Sequence, residues 1–152
     1  MHVVAHAGEE VPPDYIVQQA LDILHAERID HGVRCLEDTA LINRLRNDNI
    51  QLTVCPLSNI KLNVFDNMKS HSIKQLLNAG LNVSIHSDDP AYFGCLNDNY
   101  FAIIDEFQLG IDENNIVQLA TNAINSSFLS ENEKSRLKQK LEEETVPILR
   151  QL

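Results

Sequence analysis

Four times along this chain, a short apolar run is followed by a polar turn and then by a helical pattern. The runs surround Val3 and Val4 up to His6, then span Arg28 to Gly32, Gln51 to Cys55, and a stretch built on Val83 and Ile85. Alternating β-branched residues such as Val83 and Ile85 predict buried strands. Pro56 and Pro90 lack an N–H and close the third and fourth runs. Between the runs, Val17, Ala20, Leu21 and Leu24 recur at i, i+3, i+4 and i+7, which predicts a helix over 14–26 capped by Asp14. Ala40, Leu41 and Leu45 predict another over 37–48, and Ser70 can cap a third that runs to Ala79, with Gly80 past its end. Residues 57–69 show no period and read as a long loop, and Tyr92 to Gly94 as an aromatic loop. Further helices are expected over 100–109, from Asp112 to about Asn125, and from the Ser130-x-x-Glu133 capping box to about Glu144. Strand–helix alternation of this kind means an α/β fold with a parallel sheet and right-handed crossovers. At 152 residues the chain reads as one domain, 1–152.

In parallel sheets, functional groups gather at the C-terminal ends of the strands. The first strand ends in His6 and Glu9, the second in Asp30 and His31, the third in Ser58 and Asn59, the fourth in His86, Asp88 and Asp89. Each group has a plain structural reading beside a chemical one. Asp88-Asp89-Pro90 is good turn chemistry, yet two acids at the end of a buried strand need a cation, a hydrogen-bonded ligand or water to offset their repulsion. His6 is a core histidine or, with Asp88, a pair able to hold zinc or a similar metal. Glu9, in a Gly-containing loop, suits a general acid or base, and His31 is either a loop residue or a second proton carrier. His86 shares a strand face with Asp88 and is a geometrically allowed third ligand. Four strand ends that all carry such groups favour an active site.

Composition narrows the partners. The net charge of −10 argues against binding to a phosphate backbone, which needs Lys/Arg clusters. It fits a small-molecule substrate. No apolar run approaches 18 residues and no signal-peptide pattern opens the chain, so neither a membrane span nor secretion is expected. The three cysteines, Cys35, Cys55 and Cys95, form no C-x-x-C and fit reduced thiols in the cytoplasm.

His6-Ala7-Gly8-Glu9, Arg28-Ile29-Asp30-His31-Gly32, Thr53-Val54-Cys55-Pro56-Leu57-Ser58-Asn59 and Ser87-Asp88-Asp89-Pro90 resemble, in order and spacing, the motif set of the adenosine/adenine deaminase family of the amidohydrolase superfamily. Glu10 with Pro12-Pro13, the Cys-Pro-Leu-Ser-Asn run and Ser-Asp-Asp-Pro-Ala-Tyr-Phe-Gly are more similar to adenine deaminases than to the adenosine enzymes. The cytidine-deaminase type of zinc site is excluded, since no H-x-E is followed by P-C-x-x-C.

The resemblance implies a zinc-dependent (β/α)8 TIM barrel of which this chain supplies the C-terminal half, strands five to eight. It implies hydrolytic deamination of adenine to hypoxanthine and ammonia, with deamination of adenosine to inosine as the alternative. By the same resemblance His6 and Asp88 match zinc ligands, and Glu9 matches the proton donor to the purine ring. His31 matches the histidine that orients and helps deprotonate the attacking water, and Asp89 a residue that hydrogen-bonds the purine. The family's His-x-His pair, which supplies two further ligands to the single Zn2+, has no counterpart in this chain. It is expected in an N-terminal half. His86 stands where the family usually has asparagine, and Cys95-Leu96 where Gly-Tyr is commoner. Four parallel strands cannot close a barrel, so the first and last are expected to be open edges. The chain alone is then expected to be impaired or inactive, as part of a longer enzyme, as a short inactive protein, or as a homo-oligomer paired through those edges.

Overall fold

The computed structural model describes residues 1–10 and 13–149. Its centre is a four-stranded parallel sheet, β1 (Val4–Ala7), β2 (Arg28–His31), β3 (Gln51–Val54) and β4 (Asn82–Ile85), in the order β1-β2-β3-β4. The register pairs His6 with Asp30, Asp30 with Thr53, and Thr53 with Ser84. Among the described residues the outer edges of β1 and β4 meet no further strand. The described residues form eight α-helices, in chain order α1 (Pro13–Asp22), α2 (Thr39–Asn47), α3 (Pro56–Lys61), α4 (Ile73–Asn78), α5 (Pro90–Phe93), α6 (Leu96–Asp105), α7 (Glu113–Asn125) and α8 (Glu131–Leu149). None is long and apolar enough to cross a membrane.

The two faces of the sheet differ, as a side-chain period of two requires. One carries Ala7, Ile29, Leu52, Val54, Val83 and Ile85, all buried against helix residues such as Val17, Leu41, Leu45, Leu76 and Leu119. The other is polar. Asp30 Oδ1 accepts from Arg28 Nε at 3.0 Å and from Thr53 Oγ1 at 2.7 Å. Gln51 Nε2 donates to Ser84 Oγ at 2.7 Å, and Ser84 Oγ lies 2.8 Å from His86 Nε2.

Several boundaries depart from the sequence pattern for local reasons. Helix α1 stops at Asp22 rather than 26 because His25 takes a left-handed φ of 54° and turns the chain back, the Ala26 N–H reaching the carbonyl of Ala20. The side chain of Asp14, the expected cap, lies outside the described residues, as does Pro12. Helix α2 starts at Thr39, capped by Asp38 Oδ1, which accepts from the Ala40 and Leu41 amides; a 3-10 turn over Val33–Glu37 precedes it. The region expected as a loop over 57–69 opens with α3, since Pro56 sits in its first turn, where no N–H is needed. Pro90 likewise starts α5, where an aromatic loop is expected. Ser70 belongs to a 3-10 turn capped by Asn67, and α4 begins at Ile73. Helix α6 begins four residues before the expected Tyr100, because Asp98 Oδ2 accepts from the Cys95 amide in a capping box. The Asp112 cap and the Ser130–Glu133 box stand where the pattern puts them.

Two features here yield predictions. Gly32 has φ +67°, and a Cβ on it would stand 2.7 Å from Leu52 Cδ2. The left-handed backbone alone costs a non-glycine about 1–2 kcal/mol. Gly32→Ala is therefore expected to lower the urea midpoint by at least that equivalent, whereas Gly110→Ala, with open space around the added carbon, costs only the backbone penalty. Secondly, burial holds the ring of His71 neutral, its pKa pushed down to about 4. The unfolded ring titrates near 6.5, so between these values the unfolded chain binds more protons and stability falls as the pH drops. The full contribution stands above about pH 6.5, and on the order of 3 kcal/mol is lost by pH 4. Burial pushes His31 and His86 the same way. Urea titrations at pH 7, 5.5 and 4 check this; His71→Phe is expected to flatten the slope.

Candidate active site

The polar groups meet where the C-terminal ends of the strands turn into loops. His6 lies on β1 and points into the open, 66% of its side chain exposed. After it the chain turns at Gly8, φ +68°, which carries Glu9 inward until its side chain is only 2% exposed. His31 closes β2 with φ 71°, and Gly32 follows with φ 67°. Strict alternation would put His31 on the helix-facing side with Ile29. The left-handed backbone re-aims it across the strand end, a strain of about 1–3 kcal/mol that clusters at functional sites. Asp88 is the other left-handed non-glycine here, φ 57°. Strand β4 has ended at Ile85 by then, so the alternation that would pair His86 with Asp88 no longer holds.

The two turns lie against each other. The Gly32 N–H donates to the Ala7 carbonyl at 2.9 Å, and the Arg34 N–H to the Gly8 carbonyl at 3.0 Å. This brings His31 Nδ1 to 3.2 Å from Glu9 Oε1. The approach is off the line of a hydrogen bond, and Nδ1 is left buried without a partner. His31 Nε2 lies 3.9 Å from Asp88 Oδ2, and His6 Nε2 lies 3.7 Å from Glu9 Oε2. The rings of His6 and His31 meet edge on, centroids 4.6 Å apart. All five predicted residues thus fall in one region: His6, His31, Asp88 and Asp89 line a cavity of about 390 Å³ with Arg28, Asp30, Thr53, Cys55, His86 and Ser87, and Glu9 touches two of them. Asp89 caps α5, its carbonyl taking the Tyr92 and Phe93 amides.

Burial sets the protonation of the pair. Desolvation holds Glu9 above the usual carboxylate range, offset only in part by the hydrogen bond from Asn59 and the nearby His6. Desolvation, then the neighbouring His6, push His31 below the usual imidazole value. The acid tends to keep its proton and the base to lack one.

Ligand atoms of His6, Glu9 and His31 lie within 4.8 Å of one another, as do those of His31, Cys55 and Asp88. Imidazole and carboxylate donors fit a zinc-type ion in kind, but His6 and Asp88, the expected ligand pair, fall in different groups, each sharing its group with His31. Cys55 fits less well: burial pushes its thiol up to about 12, and its Sγ is turned toward the Thr53 carbonyl. His86 is in neither group. Its Nε2 faces Ser84 instead.

Behind these residues stand three others that the sequence pattern leaves without a role. Ser58 Oγ donates to Asp88 Oδ2 at 2.7 Å, and Asn59 Nδ2 to Glu9 Oε1 at 2.6 Å. Asn59 Oδ1 lies 3.1 Å from His71 Nε2. Ser58 and Asn59 are wholly buried, positioned by α3 directly after β3. Pro56 is the signal that could have placed them on a helix rather than in a loop.

The family model described as adenosine deaminase matches residues 1–144. The adenine deaminase of Hahella chejuensis is 55% identical over 141 residues, which cover 92% of this chain and 41% of that protein. The crystal structure of an adenine deaminase from Arthrobacter aurescens is 44% identical, with a TM-score of 0.90 over 95% of this chain and 44% of that one. A Burkholderia ambifaria amidohydrolase crystallised with bound Zn shares the fold at 24% identity, with a TM-score of 0.82 over 95% of this chain and 40% of that one. The chain thus spans about two fifths of the length of the curated relatives it matches. A four-stranded parallel sheet that superposes on part of a TIM-barrel deaminase is half of a (β/α)8 barrel, and the chain belongs to the adenosine deaminase family.

Proposed function

We propose that this chain carries the acid–base half of a zinc-dependent adenine deaminase. The observation that carries the proposal is the buried contact between Glu9 and His31, 3.2 Å apart at the rim of the cavity. Its support is the likeness to adenine deaminases at 55% and 44% identity. His6 and Asp88 would hold the metal, together with ligands from the rest of a closed barrel. Zinc bound there supplies Lewis acidity that makes water a nucleophile at neutral pH.

The chain's own residues do the rest. His31, which burial biases toward the neutral form, accepts the proton of the attacking water. Glu9 gives its proton to the ring nitrogen beside the amine-bearing carbon, so negative charge does not build on the purine as the C–O bond forms. The added hydroxyl then returns a proton to Glu9, His31 passes its proton to the amine, the C–N bond breaks as the C=O bond forms, ammonia leaves, and adenine has become hypoxanthine. Asp89, at the cavity mouth, would hydrogen-bond the purine edge. Ser58 keeps Asp88 Oδ2 in place. The cavity is too small to bury a large partner, and its lining of imidazole, carboxylate and hydroxyl groups suits a small polar heterocycle.

The test supplies the missing strands as a separate polypeptide, taken from the part of the Hahella chejuensis protein outside the matched 141 residues, with zinc present. The complex is expected to release ammonia from adenine. Glu9→Gln should lower kcat by about 10²–10⁴-fold with KM little changed, the usual worth of a positioned general acid. Asp88→Asn should lose zinc by metal analysis. Adenosine is assayed in parallel: turnover of adenosine alone would move the substrate to the nucleoside. A stable complex that binds no metal and turns over neither purine would make the chain a non-catalytic half-barrel.

A further inference from the structure

The polar side chains behind Glu9 do not touch the cavity, yet they are among the most buried in the protein: Asn59 is 0% exposed and His71 2%. Their hydrogen bonds have a direction. The Ile73 amide lies 3.1 Å from His71 Nδ1, and an amide can only donate, so Nδ1 accepts. The neutral ring then carries its hydrogen on Nε2, and burial keeps it neutral, with a pKa of about 4. Nε2–H therefore donates to Asn59 Oδ1 at 3.1 Å. That fixes which end of the Asn59 amide is oxygen, and its NH2 faces Glu9 Oε1 at 2.6 Å. No member of the line can turn round without stranding a buried donor or acceptor.

Packing holds the line still. The Asn59 carbonyl accepts the Val64 amide at 2.9 Å, its own amide donates to the Cys55 carbonyl, and the Phe65 ring lies against His71 with centroids 4.6 Å apart. The line ends on one oxygen of Glu9 and not the other. Oε1 takes the Asn59 donor and faces His31, whereas Oε2 looks toward His6 on the exposed side.

We propose that Asn59 and His71 are positioning residues for Glu9: a one-way line of hydrogen bonds, from the Ile73 amide through His71 and Asn59, fixes the rotation of the Glu9 carboxyl group and leaves Oε2 as the oxygen presented to the substrate. Neither residue touches the substrate. The inference rests on Glu9 being the proton donor of the proposed deaminase, but the line itself can be read without any turnover.

NMR of the chain labelled with 15N in histidine and asparagine side chains reads the line directly. His71 is expected as the Nε2–H tautomer, and the Asn59 amide signal as a single one shifted downfield by its short bond to a carboxyl oxygen. Glu9→Ala should move that signal upfield, and His71→Phe should do so from the other side. An Nδ1–H tautomer, or an Asn59 signal indifferent to Glu9→Ala, overturns the proposal, and both readouts stand even if His71→Phe does not fold. In the reconstituted zinc complex, His71→Phe should lower kcat by up to about 10²-fold, the scale of a 1 Å misplacement, with KM unchanged. His71→Gln, which keeps a donor toward Asn59, should recover part of it. A loss confined to KM, or no recovery in the glutamine variant, also overturns it. If the complex deaminates nothing, the deaminase reading falls, and the NMR outcomes still decide whether the line orients Glu9.

Discussion

Two glycine turns laid against each other decide where this chain keeps its reactive groups. Gly8 and Gly32 both take left-handed backbones, and a Cβ on Gly8 would stand 3.3 Å from the Cα of Gly32. Two amide–carbonyl bonds join the turns. The contact is backbone on backbone, so it leaves no freedom to slide. It also fixes the distance between the residue after one turn, Glu9, and the residue before the other, His31. A strand pair alone would deliver these side chains to neighbouring positions; the interlocked turns bring them within 3.2 Å.

From that contact the electrostatics follow. Both groups are sunk below the rim, and desolvation penalises the charged form of each. For an acid this means retaining a proton, and for a base it means lacking one. A single physical cause therefore raises the pKa of Glu9 and lowers that of His31. The groups nearer water are His6 and Asp88.

Much of this arrangement is legible in the residues. Short β-branched runs ended by Pro56 and Pro90, and caps at Asp112 and Ser130, mark elements through local rules that tertiary packing does not overturn. The strand-end polar residues give the rim once the sheet is known to be parallel. What stays hidden is of three kinds. Helices α3 and α5 have six and four residues, too short to show a period. The backbone of His31 and Asp88 breaks the alternation from which their directions would be read. His71 is the hardest case. It lies 62 residues from Glu9 in the chain and reaches it only through Asn59, so nothing local in the pattern links the two.

The sheet divides its labour by face. Ala7, Ile29, Leu52, Val54, Val83 and Ile85 grip the helices, while Asp30, Gln51, Thr53, Ser84 and their neighbours form hydrogen-bonded clusters on the concave side. Most barrels of this type fill that interior with branched aliphatic layers. Here cohesion comes from the convex side, and the concave wall is free of that duty. Such a wall can be rewritten one residue at a time with the helical coat left intact. In evolutionary terms, the scaffold and the chemistry of this half-barrel can drift at separate rates, although they are written into alternate letters of the same four strands.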